Sequence, residues 1–348
     1  MRIFILKPDN IGDFLLASGA VRLLADTAGE ENVVLAVKSD VAPLAAREFP
    51  RARIVSLPIR AGGKPSNPTV ANFFKSLPVL IRLTGLRVDV AVCLRDKRSF
   101  LQTLLFLAPR SGRRVACENS LLRGGGRRRG QWESAVRAWF RPVLLPYPDA
   151  EPGLPSDLVA HRVVVSELLG RPVSSGEIMP RLAGPRWTGG DHWMMCPLSS
   201  KLTKDFAPHR WAEALREVAD LIPSGGLRLA GAPDQAERLK EFAAALRSAG
   251  VACPLHVDES VALPDFPASM ARAALILTVD TSAAHLACAI GAPAVIVVSG
   301  HNMEIYGGHS PNGRQEWVMG AWARGRKRNW QETVPSGAVV AGIRRALA

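Results

Sequence analysis

Residues 2–26 read RIFILKPDNIGDFLLASGAVRLLAD. The apolar run from Arg2 to Lys7 has strand character, the turn-forming Pro8, Asp9, Asn10 and Gly12 interrupt it, and helical spacing runs from about Asp13 to Asp26. A strand that passes through a short turn straight into a helix is the opening unit of a parallel sheet covered by helices. The same alternation recurs along the chain in two sets. The first has strands at Arg2 to Lys7, Val33 to Val37, Arg53 to Ser56, Val88 to Cys93 and Arg113 to Cys117. Helices are expected at about Asp13 to Asp26, Val41 to Glu48, Val70 to Thr84 and Asp157 to Leu169. The second has strands at His192 to Cys196, Gly226 to Ala230, Leu275 to Val279 and Ala294 to Val298, with helices at about Pro208 to Leu221, Asp234 to Ser248 and Ser282 to Ile290. Strands this apolar suit sheets buried on both faces.

The two sets predict an α/β chain of two Rossmann-like domains that face each other across a cleft. The expected boundaries are residues 1–172 for the first domain, a linker rich in Gly, Pro and Ser at 173–190, and 191–334 for the second. A C-terminal helix in 335–348 is expected to pack back on the first domain. Open sheets of this kind bind ligands beyond the carboxyl ends of their strands, so function is sought there.

The chain has 348 residues, 47% hydrophobic and 22% charged, an ordinary soluble balance that excludes disordered and fibrous classes. Apolar segments are short: the one at Leu286 to Val298 is broken by Gly291 and Pro293, well below the roughly 20 residues needed to cross a bilayer. Met1 leads directly into an apolar strand without a secretory pattern. The expected location is the cytoplasm, with peripheral contact at the inner membrane. The five cysteines stand far apart, without metal-site or dithiol spacing, and read as buried thiols. Lys and Arg number 44 against 31 Asp and Glu, a net charge of +13, which favours an acidic partner.

Three strand ends carry the chemistry. Asp13 opens the first helix, where a carboxylate serves either as a helix cap or as a general base toward an attacking hydroxyl. After Leu275 to Val279 come Asp280, Thr281, Ser282, Ala283, Ala284 and His285, a helix start whose N–H groups and hydroxyls suit a diphosphate but also suit ordinary capping. Between them, Ser199, Ser200, Lys201 and Lys204 follow the second domain's first strand; hydroxyls with lysines fit phosphate oxygens, and fit a polar surface loop equally well. Neither a Walker loop nor a GxGxxG after the first strand is present, so P-loop NTPases and dinucleotide dehydrogenases are not supported.

These segments in order, ILKPDNIGDFLLASGAVRLL at 5–24, KDFAPHRWAEAL at 204–215, the Gly231 to Pro233 turn and VDTSAAHLACAIGAPAVIVVSG at 279–300, resemble glycosyltransferase family 9, the heptosyltransferases of lipopolysaccharide core assembly. The resemblance implies a GT-B fold with Asp13 as catalytic base. It also implies a donor site formed by Ser199, Ser200, Lys204, Gly231 and the segment Asp280, Thr281, Ser282, Ala283 and His285. The chain departs from the family at Ser282, where Gly is frequent, and at Pro233, followed by Asp234, where an acidic residue is sometimes found. The implied reaction is inverting transfer of a heptose from a nucleotide-sugar donor, ADP-heptose, to a hydroxyl, with no metal and no cofactor. For an acidic saccharide or glycolipid acceptor the candidate residues are Lys7, the cluster Arg95, Lys97 and Arg98, and the glycine-rich basic stretch with Arg123, Arg127, Arg128 and Arg129, expected to be a mobile loop. A small-molecule acceptor is the enzymatic alternative. A basic nucleic-acid-binding protein is the non-enzymatic one; without aromatics interleaved among the basic clusters, no nucleic acid is expected as a partner.

Overall fold

The computed structural model describes residues 1–59, 69–95, 98–118, 140–258, 262–300, 303–320 and 330–348. The chain divides into two compact units: Met1–Glu151 with Ser156–Met179, and Pro152–Pro155 with Pro180–Ala348.

In the first unit the elements are β1 (Ile3–Lys7), α1 (Ile11–Ala28), β2 (Val33–Lys38), α2 (Ala42–Glu48), β3 (Arg53–Leu57), α3 (Thr69–Thr84), β4 (Arg87–Cys93), α4 (Phe100–Leu107), β5 (Arg110–Cys117), β6 (Val143–Leu145), α5 (Ser156–Leu169) and α6 (Ser175–Ile178). The six strands are parallel, in the order β3-β2-β1-β4-β5-β6. Side chains alternate across a strand. Phe4 and Leu6 of β1 therefore join Leu83, Leu105 and Phe106 in one layer, and the equally buried Ile3 and Ile5 point to the other face.

The second unit runs through β7 (Trp193–Cys196), α7 (Pro208–Glu217), β8 (Leu227–Ala230), α8 (Ala236–Ser248), β9 (Leu255–Asp258), α9 (Phe266–Ala271), β10 (Leu275–Val279), α10 (Ser282–Ile290), β11 (Ala294–Val298), α11 (Met303–Tyr306), β12 (Gln315–Met319) and α12 (Ser336–Leu347). Its parallel sheet has the order β12-β11-β10-β7-β8-β9. Read from its own first strand, this is the same topology as the first sheet. In each, the first and fourth strands are neighbours whose connections leave to opposite sides, which makes a switch point at their carboxyl ends. These points lie between β1 and β4, and between β7 and β10.

Two expectations change. The segment 173–190 is not a free linker. Ser174 caps α6 through a reciprocal box with Glu177, and Trp187 and Thr188 donate their N–H groups to Ile290 and Ala271. The backbone polar groups of this segment find partners despite its glycines and prolines, so the division falls at Met179 and Pro180. The C-terminal helix α12 buries Val339, Ile343 and Ala346 in the core of its own unit, against α7, β11 and β12. Three strands, β6, β9 and β12, and the helices α4, α6, α9 and α11 were not anticipated.

Helix α1 passes so close to α6 that a Cβ at Gly19 would collide with the carbonyls of Ile178 and Met179. Backbone atoms cannot rotate away, so Gly19→Ala is expected to destabilise the first unit by about 2 kcal/mol or more, read from urea unfolding.

Candidate active site

The candidate residues fall into two groups, one at the switch point of each unit. In the first unit the turn from β1 to α1 is held by three cations. Lys7 is only 2% exposed. Its ammonium donates to the Leu94 carbonyl at 2.7 Å and lies 3.4 Å from Asp9 Oδ2, 3.7 Å from Asp157 Oδ2 and 3.4 Å from His161 Nε2. Arg95, just past β4, forms an ion pair with Asp9. Lys38, also buried, donates to Asn10 Oδ1 at 3.0 Å and to Asp40 at 2.9 Å. These bonds fix Asp9 and Asn10, and hence the entry into α1. Asp13 follows in the helix's first turn, partly exposed, where a carboxylate complements the helix dipole.

Lys7 was expected to meet an acceptor, and the structure instead places its charge inside the unit. The cause is the pair of buried carboxylates, Asp9 and Asp157, which require an internal cation. Arg98 is likewise buried, donating to the Arg95 and Cys117 carbonyls at 2.7 and 2.8 Å. Lys97, Arg123, Arg127, Arg128 and Arg129 lie outside the described residues.

In the second unit, Lys204 of the loop after β7 reaches Asp280 at the end of β10. Its Nζ is 2.6 Å from Asp280 Oδ2 and 3.3 Å from the Asp280 carbonyl. The loop that carries Lys204 is clasped by Asp205, which accepts from the Ser199 N–H at 2.6 Å and from Arg238 at 2.5 Å. Burial raises the Asp205 carboxyl above its ordinary value, against the opposing pull of the Ser199 N–H and Arg238. Ser199 is buried, its hydroxyl accepting from Lys201 N–H, while Ser200 is exposed. Gly231 closes β8, and its missing Cβ leaves room for the side chains of Gln235 and Leu239.

A hydroxyl chain ties the same two strand ends together. Thr278 donates to the Cys196 carbonyl at 3.0 Å. Its one proton is thereby used, so the Thr281 hydroxyl, 3.3 Å away, donates to it and in turn accepts from Ala283 N–H at 3.3 Å. The Ala283 N–H that was expected to face a diphosphate is thus engaged as the cap of α10. Ser282 beside it is partly exposed.

His285, one turn further along α10, is buried and stacks on His309, with ring centroids 5.4 Å apart and planes 3° from parallel. Burial, with His285 alongside, holds His309 well below the usual histidine range. Sequence reasoning missed Lys38, Asp157 and His161 in the first unit and Asp205, Arg238, Thr278 and His309 in the second. Only Asp205 carried a local signal, as the acid directly after Lys204.

The cysteines are all free, four of them buried, with burial pushing Cys196 up to about 12. Among the described residues, no helix is long and apolar enough to cross a membrane.

Two Rossmann-like units with charged groups gathered at each switch point have the architecture of the GT-B fold. Solved structures agree with that fold over the full length. E. coli heptosyltransferase WaaC with ADP is 16% identical at a TM-score of 0.70, covering 99% of this chain and 100% of its own. The same enzyme with ADP-2-deoxy-2-fluoro heptose is 17% identical at 0.67, covering 99% of each chain. E. coli ADP-heptose lps heptosyltransferase II is 15% identical at 0.68, covering 100% of this chain and 98% of its own. No curated protein matches in sequence. Residues 188–333 match the model of glycosyltransferase family 9 (heptosyltransferase). This segment of the second unit is similar to glycosyltransferase family 9, and the full-length structural matches show the fold.

Two outcomes follow from the buried charges. Lys7→Met takes a buried ammonium away from Asp9 and Asp157, leaving Arg95 on Asp9, and is expected to cost about 3 to 5 kcal/mol, measured by denaturant unfolding. His309 stays neutral in the folded state while the unfolded chain takes up a proton below about pH 6.5, so the folded state loses stability as pH falls from there. His309→Phe should flatten this acid slope between about pH 6.5 and 5, seen as a smaller drop in Tm than wild type shows.

Proposed function

We propose that the chain is an inverting glycosyltransferase that moves a heptose from ADP-heptose to a hydroxyl of an acidic saccharide acceptor such as the lipopolysaccharide inner core. The observation that carries this reading is the Lys204–Asp280 ion pair across the switch point of the second sheet, inside the segment that matches family 9. A lysine held there, partly exposed and beside a helix N-terminus, is suited to a diphosphate. The donor is named from one relative solved twice, with ADP and with a fluorinated ADP-heptose.

In the proposed reaction the acceptor oxygen attacks the anomeric carbon from the side opposite the diphosphate, and its proton passes to Asp13. The new glycosidic bond forms as the bond from carbon to phosphate oxygen breaks, and ADP leaves with the electron pair. Lys204 and the N-terminal end of α10 oppose the negative charge that builds on the leaving diphosphate. Asp280 has a carboxylate to offer the hydroxyls of the sugar. The arginines at 123 and 127–129 are assigned to the acidic acceptor on charge alone.

Incubation with a panel of sugar nucleotides and an inner-core acceptor, followed by mass spectrometry, tests the donor: ADP-heptose should be consumed, with ADP released and one heptose added to the acceptor. Turnover with a different sugar nucleotide only would replace that donor. Asp13→Ala is expected to lower transfer by about 10²–10⁴-fold with ADP affinity nearly unchanged. Lys204→Ala should weaken ADP binding in calorimetry and lower turnover as well.

A further inference from the structure

Helix α3, TVANFFKSLPVLIRLT, has two faces of different character. One packs Val79, Leu80 and Leu83 into the core of the first unit, with Ser76 buried beside them. The other turns Phe74 and Ile81 into solvent, 63% and 62% exposed. Pro78, also exposed, lies between them, so positions 74, 78 and 81 follow the i, i+4, i+7 line of a single helix face. Lys75 and Arg82, both exposed and likewise seven residues apart, run along one flank of this line. The helix contains no acidic residue. A single exposed apolar residue is ordinary. A phenylalanine and an isoleucine aligned on one face, with cations at their side, are the pattern of a helix lying in a membrane interface, apolar side chains inward and basic ones at the headgroups.

We propose that the outer face of α3 docks on an anionic lipid surface, with Phe74 and Ile81 entering the boundary of the acyl chains and Lys75 and Arg82 meeting headgroup phosphates. Charge complementarity selects this occupant. The face carries cations only, on a chain of net charge +13, and basic residues near an anionic bilayer each strengthen attachment about fivefold. A second copy of the chain fits worse, because a two-fold contact through this face would set Lys75 and Arg82 against their own counterparts. The helix has 16 residues, about 24 Å of length, and it buries its inner face in the unit, so the contact is peripheral rather than spanning. The inference does not rest on the sugar-transfer reading.

Sedimentation with sucrose-loaded vesicles tests it without any sugar nucleotide, so its outcome is separate from that of the transfer assay. The full chain should pellet with phosphatidylglycerol–phosphatidylethanolamine vesicles and stay in solution with phosphatidylcholine alone. It should also release partly at about 0.5 M salt, where surface charges are screened. Phe74→Ser with Ile81→Ser should lower the bound fraction about tenfold or more, and Lys75→Ser with Arg82→Ser about fivefold per residue. Because all four side chains face solvent, both variants should keep the wild-type Tm and the wild-type rate in a vesicle-free assay. Wild type that ignores anionic vesicles, or variants that pellet as wild type does, would overturn the proposal. So would light scattering that finds a dimer dissolved by the Phe74 and Ile81 substitutions, which would give this face to a second copy of the chain.

Discussion

At a switch point two neighbouring parallel strands send their chains to opposite sides of the sheet, and no connecting segment bridges the gap between them. In both units of this protein an acid and a base close that gap. Asp9, after the first strand, pairs with Arg95 after the fourth; Lys204, after the corresponding first strand, pairs with Asp280 after the corresponding fourth. The polarity is reversed between the two, and so is the setting. Asp9 is 5% exposed and its two cations, Lys7 and Arg95, are 2% and 27% exposed, while the Lys204 and Asp280 side chains retain 30% and 20% of their exposure. A buried pair can be separated only at a cost of several kcal/mol, whereas a hydrated pair exchanges partners readily. The buried Lys7–Asp9 pair is therefore a fixed brace for the turn into α1. The second unit's pair is one whose cation a ligand's oxygens can share.

The second brace is reinforced by groups that carry no charge. The run of donors from Ala283 N–H through the Thr281 and Thr278 hydroxyls to the Cys196 carbonyl crosses the same gap. Below it, Asp205 ties the Ser199 N–H to Arg238. Ser199 thus supplies loop geometry as much as a hydroxyl, and the placement of Lys204 depends on residues from the ends of β7 and β10 and from helix α8.

How far the sequence could be read follows from where each element lies. The inner strands β10 and β11 and the helix α10 have the bounds expected from their apolar patterning, because burial on both faces leaves little freedom in composition. The outer strands β6, β9 and β12 escaped notice. Each has a neighbour on one side only; β6 has three residues, and β9 mixes Leu255 and Val257 with His256 and Asp258. Asp13, Lys204 and Asp280 could be singled out as candidates because each stands beside its strand end. Lys7 was misjudged for the opposite reason. A lysine that ends an apolar strand looks like a cation waiting for a ligand, and its actual neighbours come from Leu94, Asp157 and His161, as much as 154 residues away. His309 likewise acquires its place against His285 only through tertiary packing.

The same outer strands bear on how the molecule behaves in a crowded solution. An open sheet ends in a row of unpaired amide and carbonyl groups, a template on which another chain can add a strand. Here β6 offers three residues and β9 four, too few for a long foreign ladder, and β3 at the opposite margin of the first sheet begins with the exposed Arg53. At β12, the last margin, Glu316 is held by Arg345 from α12, which keeps charge along that rim. Brevity and charge at these borders let two sheets with strongly apolar interiors remain separate from those of other molecules.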